Sequence, residues 1–233
     1  MYNKYMVTVI SLGGSIVAPR GADGQFIKQF AEAIRGFIEA DQQRRFIIVV
    51  GGGGPARAWQ DAYREACGGA ARDEEADWIG IMATRLNAQL VKAVMAEWCC
   101  QDVVTDPTQA QPLKGKVLVA AGWKPGFSSD NDAVLLAERF NASTVINLSN
   151  IEKVYTADPQ KDPAAQPLDT ISWEDFGAMV GDEWVPGRNV PFDPVASRYA
   201  QKIGLKVICA AGRDLENLKK IICGENFAGT TIG

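Results

Sequence analysis

Five short apolar runs punctuate the chain, at 6–12, 46–50, 116–121, 144–148 and 205–209, each rich in β-branched residues and bounded by turn-forming positions. Their apolarity is nearly unbroken instead of alternating, the pattern of parallel strands covered on both faces. Between them the spacing changes to that of helices. Over 24–40, Phe26, Ile27, Phe30, Ile34, Phe37 and Ile38 fall on one face, and further helices are predicted over 55–66, 74–97, 132–140, 172–180, 194–203 and 215–222. Pro55 suits a first helical turn, and Ser172 with Asp175 three residues on is close to a capping box. Strands alternating with helices predict an α/β fold, a three-layer αβα sandwich with a mainly parallel central sheet and right-handed crossovers. The least regular stretches, 155–169 and 181–193, are expected beyond strand ends, where an open sheet collects its ligands.

Length and composition narrow the classes. At 233 residues one domain spanning 1–233 is expected, and 47% hydrophobic with 22% charged residues excludes a disordered chain. Basic and acidic residues number 24 and 28, a net charge of −4 that gives no basis for non-specific nucleic-acid binding. There is no histidine, so Ser-His-Asp and Cys-His nucleophilic sites and the usual histidine zinc sites are excluded. Five cysteines without a C-x-x-C pair read as reduced packing residues of a cytoplasmic protein. The opening run at 6–12 is too short to span a bilayer and ends in Gly13-Gly14, so neither an anchor nor a signal peptide is expected.

Two of the predicted strands run straight into glycines. The first leads to Gly13-Gly14-Ser15, the second to Gly51-Gly52-Gly53-Gly54-Pro55 at the start of a helix. Glycine lets the backbone approach a ligand oxygen closely, and a helix start behind it offers free N–H groups, so both turns suit phosphate. Two such turns at neighbouring strand ends would hold two phosphate-bearing ligands face to face. G-x-x-x-x-G-K-[ST] is absent, which removes the P-loop enzymes. Gly51-x-Gly53-x-x-Ala56 satisfies the dinucleotide pattern formally, but Asp73, at the distance of the ribose-binding acid, opens an acidic helix start instead of ending a strand. A nicotinamide-dependent oxidoreductase is therefore the weaker reading.

Three further clusters follow: Asp77-Trp78-Ile79-Gly80-Ile81 with Thr84-Arg85-Leu86-Asn87-Ala88, then 122–130 (Gly-Trp-Lys-Pro-Gly-Phe-Ser-Ser-Asp), then Asn150 to Pro159 with Asp162-Pro163. In this order they resemble the amino acid kinase superfamily, and within it the archaeal-type uridylate (UMP) kinases, over nearly the whole chain. The resemblance implies ATP and UMP as nucleotide partners at the carboxyl ends of the strands, Mg²⁺ on the ATP phosphates, and a homo-oligomer, usually a hexamer. It would place Gly13, Gly14, Gly53 and Arg57 on the ATP phosphates and Asn150, Tyr155 and Asp158 around the ATP nucleoside. Gly52, Asp77 and the loop Gly122, Trp123, Lys124, Pro125, Gly126, Phe127, Ser128 and Ser129 would hold UMP. Asp130 is the candidate for organising the metal or the basic groups, with Asp132 competing for that role. Each has a plainer alternative: Asp77 an exposed helix residue, Tyr155 a strand residue, Asp158-Pro159 a turn, Asp193-Pro194 a helix start.

Two positions depart from the family pattern. Ser11 stands where many members carry lysine, and Glu152-Lys153 replaces Asp-Gly. Lys153 is the expected source of the missing charge. Beside UMP phosphorylation two readings of the scaffold stay open, a non-catalytic nucleotide-binding or storage protein and a sister kinase with another small phosphate or carbamate acceptor.

Overall fold

A computed structural model describes residues 5–181 and 190–233, so most of the irregular stretch expected at 181–193 lies outside the described residues. The main strands are β1 (Met6–Leu12), β2 (Arg44–Val50), β3 (Val117–Ala120), β4 (Thr144–Ser149) and β8 (Lys206–Ala211), matching the five apolar runs to within two residues. Around them lie α1 (Gly14–Val17), α2 (Gly24–Ala40), α3 (Gly53–Cys67), α4 (Asp73–Val94), α5 (Ser129–Arg139), α6 (Trp173–Val180), α7 (Pro194–Lys202) and α8 (Leu215–Cys223). Four short strands, β5 (Val154–Tyr155), β6 (Pro167–Leu168), β7 (Thr170–Ile171) and β9 (Thr230–Ile232), complete the set.

The central sheet runs β3-β2-β1-β4-β8-β9-β7, and every pairing is parallel except β8 with β9. Alternate residues of each strand serve opposite faces. Ile10, Leu12, Phe46, Ile48, Val50, Val117 and Val119 join the core under α2, α4 and α8, while Val9, Ile47, Val49, Leu118 and Ala120 join the core under α5, α6 and α7. These two cores make the three layers, and they explain why the strands read as unbroken apolar runs. From β1 the chain moves outward through β2 to β3, then returns to β4 on the other side of β1. The β1/β4 boundary is thus the point where strand order reverses, the place where a doubly wound sheet opens a crevice at its carboxyl edge.

Caps set the helix starts. Asp23, Ser128, Ser172, Asp193 and Asp214 each accept a backbone N–H from the first turn of α2, α5, α6, α7 and α8. The predicted start of α5 at 132 is corrected to Ser129, because Ser128 caps the helix and draws the polar run 129–132 into its first turn. Likewise α3 begins at Gly53, two residues before Pro55. No residue of α3 is buried; it lies on α4 instead of on the sheet. Among the described residues no helix is long and apolar enough to cross a membrane.

Candidate active site

The two glycine turns meet at the carboxyl edge of β1 and β2. Gly51 N–H donates to Leu12 O (3.0 Å) and Gly54 N–H to Ala18 O (2.8 Å), which sews the second turn to the first. Gly13 N–H donates to Leu148 O (2.8 Å), fastening the first turn across the β1/β4 boundary. The backbones approach so closely that only glycine fits: a Cβ on Gly14 would stand 2.0 Å from Gly53 N and 2.7 Å from the Gly52 backbone. Gly53 also has φ +67°, a conformation that penalises any side chain. Among the described residues the N–H groups of Gly14, Gly52 and Gly53 have no hydrogen-bond partner. Unpaired amides gathered at the carboxyl edge of the sheet are what a polyanion needs.

Beside the second turn lies a cavity of about 230 Å³. It gathers residues that the sequence spreads over nearly eighty positions: Gly52, Gly53 and Arg57 from the start of α3, Asp77 from α4, and Gly122, Phe127, Ser128 and Ser129 from the β3–α5 connection. Arg57 has no hydrogen-bond or ion-pair partner among the described residues and is exposed. Asp77 Oδ2 accepts the Gly126 N–H (3.1 Å), so the loop folds down on α4, with Gly126 at φ +81°. Ser128 caps α5 through Asn131 N–H (3.3 Å), leaving its own hydroxyl hydrogen available. Trp123 and Phe127 pack with ring centroids 5.0 Å apart and Lys124 Nζ sits 3.9 Å above the Trp123 ring, so Lys124 covers the loop's aromatic face. Trp123, Lys124, Pro125 and Gly126 shape the loop without lining the cavity. Ala56, Gln60, Gly80, Ile81 and Thr84 complete the wall. Their signal in the sequence was the succession of small residues at Gly80 and Thr84, one helical turn apart on α4, facing Ala56 and Gly52.

Asp130 and Asp132 part company. The Ser11 hydroxyl donates to Asp130 Oδ1 (3.0 Å) and Asp193 N–H to Oδ2 (3.3 Å), so Asp130 ties the end of β1 to the start of α7. Burial, reinforced by the charge of Asp193, pushes its carboxyl up to about 6. Asp132, fully buried, accepts Trp123 N–H (3.1 Å) through Oδ2, while its Oδ1 has no partner. Burial raises it to about 7, with Asp130 and Asp106 adding to the effect. Asp193 caps α7 through Ala196 N–H (2.7 Å), the helix start expected of Asp193-Pro194.

A carboxyl whose folded pKa lies above its unfolded value stabilises the fold less as pH rises between the two. Wild-type protein is therefore expected to lose on the order of 3 kcal/mol through Asp132 between pH 4 and pH 8. Asp132→Asn keeps an acceptor for Trp123 N–H and removes that part of the slope, leaving the smaller one due to Asp130, so urea unfolding of both proteins across this range checks the sign. An unchanged slope contradicts the burial of an ionisable Asp132.

On the donor side the residues are more dispersed. Asn150 follows β4 and is exposed. Tyr155 pairs with Pro167 in the β5–β6 ribbon, and Asp158 accepts Gln160 N–H (3.0 Å) as the head of a turn. Lys153 donates to Asp169, which raises its pKa, and it is absent from the cavity wall. Two arginines come close to the joined turns: the Arg20 backbone lies against Gly54 of the second, and beyond the first Arg213 reaches Ile16 O (3.3 Å) and Asp23 (2.8 Å).

Comparison with known proteins agrees with this fold. The model of the amino acid kinase family matches residues 6–211. A uridylate kinase of Methanocorpusculum labreanum is 35% identical over 229 residues, covering 97% of this chain and 94% of that protein, and one of Methanospirillum hungatei is 35% identical over 227 residues, covering 96% and 93%. The crystal structure of uridylate kinase from Archaeoglobus fulgidus superposes with a TM-score of 0.82 at 34% identity, covering 98% of this chain and all of that one. The UMP kinase structure from Bacillus anthracis, 20% identical with a TM-score of 0.77 over 98% of this chain and 96% of that one, shares the fold. With unpaired amides at the joined turns, a basic and acidic cavity beside them and these relatives end to end, the chain belongs to the amino acid kinase family, alongside the archaeal uridylate kinases.

Proposed function

We propose that the protein transfers the γ-phosphoryl group of ATP to UMP, giving ADP and UDP. The observation that carries this reading is the backbone contact between the two glycine turns, with a cavity lined by Arg57, Asp77, Ser128 and Ser129 on one side of it. Unpaired amides of Gly14 and Gly53 suit the ATP phosphates, and Gly52 with Arg57 suits the UMP phosphate. Asp77 offers an acceptor to ribose hydroxyls and the Ser128 and Ser129 hydroxyls donate to the acceptor nucleotide. Placing Arg57 and Gly53 in the shared wall gives them both nucleotides to serve, with a permanent, forked cation at the point of transfer.

In the transfer a UMP phosphate oxygen forms a bond to the γ-phosphorus as the bond from that phosphorus to the β,γ-bridging oxygen breaks, and the electron pair leaves with ADP. The attacking oxygen is already ionised at neutral pH, so no base need take a proton, in keeping with a chain that has no histidine. What remains for the protein is alignment and charge neutralisation. Mg²⁺ would supply further neutralisation on the ATP phosphates. Asp130, its carboxylate already oriented by the Ser11 hydroxyl and the Asp193 N–H, is the residue that would help hold that ion. Asp130 is the proposed organising carboxylate. Lys153 is the second candidate, and from its anchor on Asp169 it would have to turn to the donor to add charge.

Self-association belongs to the same proposal. Trp78, Met82 and Leu86 form an exposed stripe along α4, with Trp59 exposed on α3, and such a stripe of large apolar side chains suits a second copy of the chain. A hexamer in the cytoplasm fits this face and the five free cysteines.

ADP release with UMP, CMP, dTMP, AMP and isopentenyl phosphate as acceptors tests the function. UMP is expected to give the highest kcat/KM. Turnover confined to a non-nucleotide acceptor, or ATP binding without transfer, overturns the reading.

A further inference from the structure

Every backbone polar group of the Gly122-Trp123 dipeptide, at the start of the acceptor loop, is held by a side chain. Gly122 N–H donates to Thr84 Oγ1 (2.8 Å) and Trp123 N–H to Asp132 Oδ2 (3.1 Å). Arg85 takes both carbonyls, Gly122 O through Nε (3.3 Å) and Trp123 O through Nη2 (3.0 Å), with its guanidinium 5.9 Å from the Trp78 ring. Thr84 Oγ1 is itself fixed by donating to Ile81 O (2.6 Å).

Three residues further along α4, Asn87 performs the same service for the other side of the site. It is 5% exposed, and its Nδ2 donates to both Gly51 O (2.9 Å) and Gly52 O (3.0 Å). Gly51 in turn abuts the first turn, where a Cβ would stand 2.4 Å from Gly14 N. A polar side chain buried in a helix beside Ala88 and Val91 is costly unless its amide is satisfied, and a leucine there would serve packing alone. Within four residues, then, one rigid helix grips the glycine tetrad on one side and the acceptor loop on the other.

We propose that Asn87 is a positioning residue for phosphoryl transfer: through the Gly51 and Gly52 carbonyls, and with Thr84 and Arg85 holding Gly122-Trp123, it sets the spacing between the donor and acceptor turns without touching either nucleotide. This rests on the phosphotransfer reading above. Alignment is the main contribution left to the protein in such a reaction, and a misplacement of about 1 Å costs on the order of 100-fold in rate. The signature is a loss in kcat with binding of each nucleotide, measured alone, preserved.

The test compares wild type, Asn87→Leu and Arg85→Met, using steady-state kinetics with ATP and UMP, calorimetric Kd values for ATP alone and for UMP alone, and thermal melting. Asn87→Leu is expected to lower kcat about 10- to 100-fold while each Kd moves less than about threefold and the protein still melts cooperatively. If Asn87→Leu does not fold, Arg85→Met is expected to give the same split. The inference is overturned by an unchanged kcat, or by Kd values that weaken in step with kcat/KM, which would make the role one of binding. Wild-type protein that binds UMP but never phosphorylates it sinks the phosphotransfer reading and this inference with it; active wild type with full-speed variants sinks this inference alone.

Discussion

Gly14→Ala is expected to abolish phosphoryl transfer and to destabilise the chain by more than about 3 kcal/mol. The added methyl would sit 2.0 Å from Gly53 N and 2.7 Å from Gly52 backbone atoms, and what must give way is main chain already tied by the Gly51–Leu12 and Gly54–Ala18 hydrogen bonds. A side chain can rotate out of a clash; two turns hydrogen-bonded to each other at two points cannot, short of pulling the glycine tetrad off β1. Because that junction also carries the unpaired amides of Gly14, Gly52 and Gly53, activity is lost with the packing. Gly24→Ala is the control. It opens α2, nothing lies within 4 Å of a Cβ there, and the substitution is expected to be neutral or to stabilise by up to about 1 kcal/mol. Denaturant unfolding and turnover of the two variants check both halves, and an active, stable Gly14→Ala would mean the turns are not in backbone contact.

The second large effect concerns Arg57. Arg57→Ala is expected to lower kcat/KM for UMP about 10²- to 10³-fold, because it removes a cation from the wall that Gly52, Asp77 and Ser129 share, where charge on the transferring group must be met. KM for ATP is expected to move less than about threefold, and Arg57→Lys to restore only part of the rate, since a point charge does not reproduce a forked donor. Varying each nucleotide at saturating levels of the other separates these. An effect confined to KM for ATP would return Arg57 to the donor phosphates alone.

The apolar runs that became β1, β2, β3, β4 and β8 are legible because burial on both faces leaves an uninterrupted pattern, and the glycine turns because no other residue lets backbones approach so closely. β5, β6, β7 and β9, two or three residues each, are too short to carry a period. The start of α5 was misplaced because Ser-Ser-Asp-Asn-Asp has no apolar spacing, and only the Ser128 cap shows where the helix begins. Nothing in the sequence singles out Asn87: a polar residue in a helix looks solvent-facing until the glycine tetrad is laid against it, a contact across 35 residues. Lys153 drew attention for its charge, whereas its pairing with Asp169 depends on how the β5–β6 ribbon returns. Asp130 and Asp132, indistinguishable as neighbours in sequence, separate only when Ser11 and Asp193 claim one and Trp123 the other.

A crystal structure of the chain with UMP and a non-hydrolysable ATP analogue bound together is the most direct measurement of how the two turns work. The expected result is the terminal phosphate of the analogue on the amides of Gly14 and Gly53, with the UMP phosphate on Gly52 and Arg57 and the reacting atoms about 3–3.5 Å apart. Either phosphate lying outside the joined turns, or those amides capped by protein groups in the complex, would contradict it.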